Sequence, residues 1–278
     1  ASGNASIVTT TAGTSNFIAG VNAGNSITSG GNYNVLIGDE AGTAITTGDN
    51  NVAVGYQALS TEDANGESVA IGYRALKVQN AGAAAYNTAV GYDAGVAVTT
   101  GTGNTLIGGL TGDALTVGND NVAIGLNALS ADTNGSGSVA IGNVALQDQN
   151  FTTATNAYNT AIGRSAGRDI TTGTLNTLIG GLAGDAITTG NSNVAVGYET
   201  LSADTLGDRN VAIGLQALLT QNFTTSTDSY NTAVGYAAGL AVTTGTANTL
   251  TGGLSGDALT TGESNVAVGF SSLGADTK

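Results

Sequence analysis

The sequence predicts an all-β protein: a β-solenoid, or β-roll, of about fifteen 17-residue coils. Three observations predict this fold. A five-residue motif ending in Gly recurs along the chain, most copies lie 17 residues apart, and the chain holds 44 Gly and no Pro. Helical repeats need about 33 residues or more, so a period of 17 favours stacked strands. A chain without Pro also leaves every backbone ladder uninterrupted.

The motif reads Asn, then Val or Thr, then Ala or Leu, then Val or Ile, then Gly, as in residues 51–55. We number each coil from the motif Asn, so that the motif Gly is position 5. The β-branched residues favour extended chain and the Gly ends it, which predicts one short strand per coil. A second, weaker strand is predicted in the other half of the coil, for example over residues 44–47 and 97–100.

A longer period lies over the first. Position 9 is Gly in two successive coils and Leu in the next two, throughout the chain. Position 3 is Leu once in every four coils, at Leu36, Leu106, Leu178 and Leu250. The coils are therefore arranged in four-coil super-repeats. The solenoid is expected over residues 16–278, preceded by an N-terminal segment of residues 1–15.

Each motif position suggests a role. Asn at position 1 predicts a ladder of stacked amides, and the constant Gly at position 5 predicts positive φ or close backbone packing. Neighbouring strand residues point to opposite faces, and the Val or Ile of position 4 is predicted to fill the roll. Position 3 is then expected on the outer face, where its four leucines would make lateral contacts with another solenoid.

The composition excludes several kinds of chemistry. The chain has no Cys and no His, which excludes thiol catalysis and any triad with a His base. Six basic residues in a chain of net charge −14 argue against nucleic-acid binding. No apolar run approaches the ~20 residues that membrane insertion requires. The basic residues are scattered, so we expect no enzyme and no cofactor. Only 9% of the residues are charged, which indicates a surface covered by other copies of the chain.

One acidic pattern repeats. Asp113, Asp185 and Asp257 stand at position 10, and Asp132, Asp204 and Asp276 stand at position 12 of the following coil. Each pair is expected on adjacent coils. Because Ca²⁺ takes carboxylate and carbonyl oxygens, calcium is the metal that this pattern admits. The alternative, which we favour, is that these are solvated turn acids that keep the protein soluble.

Two longer coils carry insertions with a Phe in the same register, Phe151 and Phe223. Loops that leave a solenoid often carry its binding function. These side chains are therefore predicted to make lateral contacts or to adhere to a surface glycan. The alternative is that each Phe folds back over the solenoid as a local cover.

The motif is similar to known repeats. Residues 68–72 and 138–142, both Ser-Val-Ala-Ile-Gly, resemble the YadA-like head repeats of trimeric autotransporter adhesins. Residues 51–59 resemble repeats of phage tail-fibre and related surface-fibre proteins. The resemblance implies a β-roll, trimeric in the adhesins, on an extracellular fibre.

The two ends of the sequence suggest assembly. The coil that begins at Asn265 holds 14 residues, and residues 1–3 of another copy would supply three more. Residues 4–15 then stand where a further coil would be. We expect head-to-tail contacts from Ala1, Ser2, Gly3, Asn4, Ile7, Asn265, Val266, Val268 and Lys278. The expected function is that of a secreted, non-enzymatic filament protein. The alternative is a trimeric surface adhesin or a phage-fibre shaft that binds a host ligand.

Overall fold

The computed structural model describes residues 7–8, as backbone, and residues 11–277. All regular structure in this part of the chain is β-strand, and none of it is helix. The residues divide into two compact units. Unit 1 comprises residues 1–137 and 151–155, and unit 2 comprises residues 138–150 and 156–278.

Each coil contributes one three-residue strand, formed by motif positions 2 to 4. Unit 1 contains β1 (Ile7–Val8), β2 (Phe17–Ala19), β3 (Val35–Ile37), β4 (Val52–Val54), β5 (Val69–Ile71), β6 (Thr88–Val90), β7 (Thr105–Ile107), β8 (Val122–Ile124) and β9 (Gly135–Ser136). Unit 2 contains β10 (Val139–Ile141), β12 (Thr160–Ile162), β13 (Thr177–Ile179), β14 (Val194–Val196), β15 (Gly207–Asp208), β16 (Val211–Ile213), β17 (Thr227–Asp228), β18 (Thr232–Val234), β19 (Thr249–Thr251) and β20 (Val266–Val268). The short strand β11 spans Thr155–Asn156.

Equivalent motif positions lie opposite one another. Val52 pairs with Val69 in unit 1, and Thr177 pairs with Val194 in unit 2, both in parallel strands. The same parallel register relates the other consecutive coils of each unit whose pairing is described. The β-solenoid predicted from the 17-residue period is confirmed.

The second strand predicted in each coil is wrong at residues 44–47 and 97–100, which form turns and bends. These segments still bond to the next coil, since Thr46 N–H donates to Asp63 O at 2.6 Å and Thr99 N–H to Thr116 O at 2.9 Å. Because this half of the coil makes so few backbone hydrogen bonds to the next coil, it does not form a regular strand. In unit 2 a second strand pair does form where the coil carries an insertion, between β15 and β17.

The position-1 asparagines form a buried column. Asn176 is fully buried, its Oδ1 accepts from Asn193 N–H of the following coil at 3.0 Å, and its Nδ2 donates to Gly190 O at 2.9 Å. The predicted ladder is present, but most of its links run from a backbone N–H to a side-chain oxygen. These bonds satisfy peptide groups that the turns leave unpaired.

Four positions of the coil take positive φ. Gly55, at position 5, has φ +134°, and a Cβ there would lie 2.3 Å from Gly72 O of the next coil. Both reasons given above for Gly at this position therefore apply. Positions 7, 9 and 17 are left-handed even without Gly, as in Glu199 at φ +52° and Leu201 at φ +53°.

Packing inside the coil explains the four-coil period. Leu178 at position 3 is fully buried, and its Cδ atoms lie 2.8 Å from the places that Cβ atoms of Gly167 and Gly184 would take. One leucine therefore requires Gly at position 9 in two coils. In the next two coils position 3 is Ala, and Leu201 and Leu218 fill the core from position 9.

Candidate assembly surfaces

The inner and outer faces of the strand are the reverse of those predicted. Position 3 points into the core, so Leu36, Leu106, Leu178 and Leu250 are all fully buried. Their predicted place on the outer surface is wrong, and they are not available for lateral contacts. Inside the coil, positions 3 and 9 share a space that holds one large side chain, since a Cβ at Gly184 would already lie 2.8 Å from Leu178 Cδ2. Positions 2 and 4 therefore face outwards.

The outer strand face, defined here as positions 2 and 4 of each coil, carries no charged residue. Several of its isoleucines are more than one-third exposed, for example Ile71 and Ile107 in unit 1 and Ile179 and Ile213 in unit 2. Apolar strand faces that are regular and uncharged are uncommon on monomeric soluble proteins. This face is one candidate contact surface.

A row of exposed tyrosines follows the strand in unit 1, at position 6. The rings of Tyr56 and Tyr73 stack with centroids 5.5 Å apart, and those of Tyr73 and Tyr92 with centroids 5.2 Å apart. Arg74 lies over the Tyr73 ring at 5.1 Å and forms an ion pair with Asp93. The rings stack on one another, so they present edges and hydroxyl groups to solvent.

The predicted exposure of the two insertion phenylalanines is also wrong. Phe151 and Phe223 are each only 5% exposed. Phe151 N–H donates to Asp132 Oδ1 at 3.3 Å, and its carbonyl accepts from Thr133 Oγ1 at 2.8 Å. The alternative of a local cover is confirmed: each Phe folds back, and its backbone is bonded to the preceding coil.

A buried acid–amide network lies beneath the insertions, and the sequence analysis missed it. In unit 2 the buried Asp204 accepts from Gln221 Nε2 at 2.6 Å and from Gly207 N–H at 3.0 Å. Gln221 Oε1 then accepts from Asn231 Nδ2 at 2.8 Å, which links three coils. Burial raises the pKa of Asp204, while its hydrogen bonds oppose the rise. The sequence signal for this network is at position 12, which is apolar in two successive coils, acidic in the third and Gln in the fourth.

The same network recurs in unit 1 with Glu62 as the acid. Gln79 Nε2 donates to Glu62 Oε2 and to Ser68 Oγ, both at 2.9 Å, and Asn87 Nδ2 donates to Gln79 Oε1 at 2.8 Å. Glu62 is fully buried, and its Oε1 has no hydrogen-bond partner in the part of the chain that the structure describes.

The six candidate calcium ligands do not share one environment. Asp132 and Asp204 are fully buried, and each accepts backbone N–H bonds, so they are not solvated turn acids. Asp113 and Asp257 each have one buried oxygen without a partner among the described residues. Asp185 lies 3.8 Å from Arg168. Asp257 and Asp276 line one hollow in unit 2. No group of three or more acidic side chains in residues 11–277 is arranged to hold a metal, and calcium stays a prediction.

At the N-terminal side of unit 1, β1 pairs with β2 in antiparallel fashion, with Ile7 opposite Ala19. This is the reverse of the parallel pairing between coils. Beside β1 lies an open hollow of about 350 Å³ floored by Ile18, Ala23, Gly24 and Ile27. Of the residues predicted to make head-to-tail contacts, Ala1, Ser2, Gly3, Asn4 and Lys278 lie outside the described residues.

At the C-terminal side of unit 2, β20 has an open edge, with which no strand pairs among the described residues. Val266, Val268 and Phe270 are 73%, 70% and 79% exposed, against 38% for Ile213 within the stack. A Cβ at Gly269 would meet nothing within 4 Å, whereas one at Gly252 would meet Gly269 O at 2.5 Å. Asn265 donates its N–H to Asn248 Oδ1 at 3.0 Å, so the column runs to this edge.

No helix among residues 7–8 and 11–277 has the length and apolar character needed to span a membrane. In comparisons with known proteins, no family model, curated protein or solved structure matches this chain.

Proposed function

We propose that this chain is a non-enzymatic structural protein that assembles end to end into an extracellular filament. The open edge at β20 is the observation that carries this proposal. Its backbone continues the ladder of unit 2, and its outward side chains are about twice as exposed as those within the stack. An apolar strand edge of this kind is a template for pairing with another chain.

The composition supports the same function. Only 9% of the residues are charged, and no basic patch or His-containing cluster offers an alternative chemistry. A head-to-tail contact joins two different surfaces of identical copies. Unless the rotation between neighbouring copies closes a ring, such contacts produce an open filament. The side chains of Val266, Val268 and Phe270 at this edge are apolar and mostly exposed.

Electron microscopy of the purified chain over a range of concentrations tests the proposal, with filaments of constant width as the expected result. Val266→Pro should abolish them, because the position-2 N–H donates to the following coil, as Val35 N–H does to Asn51 O at 2.9 Å. Val266→Thr, which keeps the N–H and the β-branch, should leave them intact. A chain that stays monomeric at high concentration contradicts the proposal. Antibody labelling of intact cells tests the extracellular location.

A second candidate function is that of a trimeric adhesin or phage-fibre shaft that binds a host ligand such as a surface glycan. The uncharged outer strand face favours it, since this face could pack around a threefold axis where the buried position 3 could not. Sedimentation equilibrium separates the two candidates: a fixed mass of three chains favours the adhesin, and open-ended growth favours the filament. Ile179→Lys should dissociate the trimer.

A further inference from the structure

Residues 13–15 have a defined place in the stack. Thr14 N–H donates to Asn32 Oδ1 at 2.7 Å, as Thr102 N–H donates to Asn119 Oδ1 at 2.8 Å between two complete coils. Tyr33 N–H donates to Thr14 O at 3.0 Å, which is also a coil-to-coil bond of the ladder. Residues 13–15 therefore occupy positions 15 to 17 of a coil that precedes Asn16.

Among the described residues, the other positions of that preceding coil are only partly filled. β1 covers the edge of β2, but it runs antiparallel. The hollow of about 350 Å³ beside it is lined by positions 3 to 12 of the first complete coil, together with Thr11 and Ala12. The floor is apolar core, because Ile18 and Ala23 are less than 10% exposed.

Complete coils show what belongs in such a hollow. Gly95, Gly167 and Gly239 are the equivalents of Gly24 in later super-repeats. A Cβ on each would lie within 2.9–3.1 Å of a leucine Cδ2 from position 9 of the preceding coil, namely Leu76, Leu146 and Leu218. At Gly24 the nearest atoms come only from Leu36, Ile18 and Ile27, in its own and the following coil. The hollow therefore lies where, in complete coils, the position-9 leucine of the preceding coil is found.

We propose that this hollow receives Leu273 from a second copy of the chain, whose last described coil replaces β1. The inference rests on the end-to-end assembly proposed above and identifies its joint. Residues 265–277 of the second copy supply positions 1 to 13, and residues 13–15 supply positions 15 to 17. One coil is thus built from two copies. This differs from the expectation that residues 1–3 complete the coil of Asn265 and residues 4–15 form a further coil, because here the coil of Asn265 directly precedes that of Asn16.

The joint continues bonds present within each unit. Leu76 N–H donates to Ala94 O of the next coil at 3.1 Å, so Leu273 N–H would donate to Ala23 O. The composite coil departs from the interior order at position 12, where Asp276 would stack above Ile27.

Cysteine pairs test the joint directly, since the chain has no Cys of its own. Ala19 and Val268 both stand at position 4, and in the composite coil they would lie about 4.8 Å apart, within disulfide range. The Ala19→Cys/Val268→Cys chain should therefore form disulfide-linked multimers on a non-reducing gel. Val268→Cys alone measures the background of random pairing.

The competing arrangement keeps β1 in place between the copies. Ile7 lies opposite Ala19, so Val268 would then adjoin Ile7 and lie about 9.6 Å from Ala19. Multimers from Ile7→Cys/Val268→Cys, or no multimers from the first pair in a sample that forms filaments, overturn the joint and leave end-to-end assembly standing. If the unmodified chain does not associate at all, both proposals fail.

Leu273→Ala tests the side chain in the hollow. Loss of a buried leucine should weaken the association constant about 10- to 100-fold in sedimentation velocity. Leu126→Ala removes a leucine that is 52% exposed on the outside of unit 1 and serves as the matched control. Equal association of both variants and the unmodified chain overturns the assignment of Leu273.

Discussion

Adjacent residues of β13 offer a sharp test of which strand face lies inside. Leu178 is fully buried, whereas Ile179 is 37% exposed, and truncation to Ala removes three carbon atoms from each. A fully buried Leu→Ala change costs about 3–5 kcal/mol, because a cavity remains. For Ile179, three carbons at about 0.8 kcal/mol each, scaled by its buried fraction, give about 1.5 kcal/mol.

The two variants should therefore differ by about 2 kcal/mol in the free energy of unfolding. Urea unfolding followed by far-UV circular dichroism measures the difference, and the comparison of midpoints holds even where a repeat array loses two-state cooperativity. The neighbouring strand position is the matched control, with the same backbone and the same number of carbons removed. If Ile179→Ala destabilises the chain as much as Leu178→Ala, the assignment of the inner face is refuted.

Three further results are expected. Asn176→Ala should destabilise the chain by about 2 kcal/mol and speed amide exchange at Asn193, whose N–H would lose its acceptor; unchanged exchange would contradict the ladder. Phe223→Ala should cost about 3 kcal/mol and open the insertion to proteolysis, whereas Phe270→Ala, at a 79% exposed site, should change neither in the dilute chain. Burial raises the pKa of the Asp204 carboxyl above its value in the unfolded chain, so the native state binds the carboxyl proton more tightly than the unfolded state does. The free energy of unfolding should therefore fall as the pH rises from the unfolded pKa to the native one. In Asp204→Asn the unfolding midpoint should depend less on pH, and an identical slope would exclude this role.

The fold could be predicted because the period and the missing Pro act at every coil. The face assignment could not, because alternation along a strand separates two faces without telling which one is inside. The large Val and Ile of positions 2 and 4 suggested the core, but the core is filled from other positions, by Ala195 and Leu201 in one coil and by Leu178 and Ile187 in another. How large a buried residue at position 3 can be depends on side chains outside the five-residue motif, so the motif alone does not show that position 3 is buried.

The assembly surfaces were predictable to a different extent. Val266 and Val268 are 73% and 70% exposed, and their role in head-to-tail contacts stays a prediction. Phe151 was expected outside because a loop is usually exposed, but Asp132 binds its backbone and turns the ring inwards. The acid and its Gln partner come from different coils, so their pairing becomes visible only when the coils are stacked.

The left-handed residues of each coil have a consequence for how the protein folds. Positions such as Glu199 and Leu201 hold φ near +50° without being Gly, a conformation that costs about 1 kcal/mol or more per residue. A coil without neighbours has no contacts to offset several such residues, so the first coil to form is a slow nucleus. Each later coil forms against a finished one, and growth proceeds outwards by templating. Addition of a new copy at β20 would then be the same elementary step as folding of the next coil.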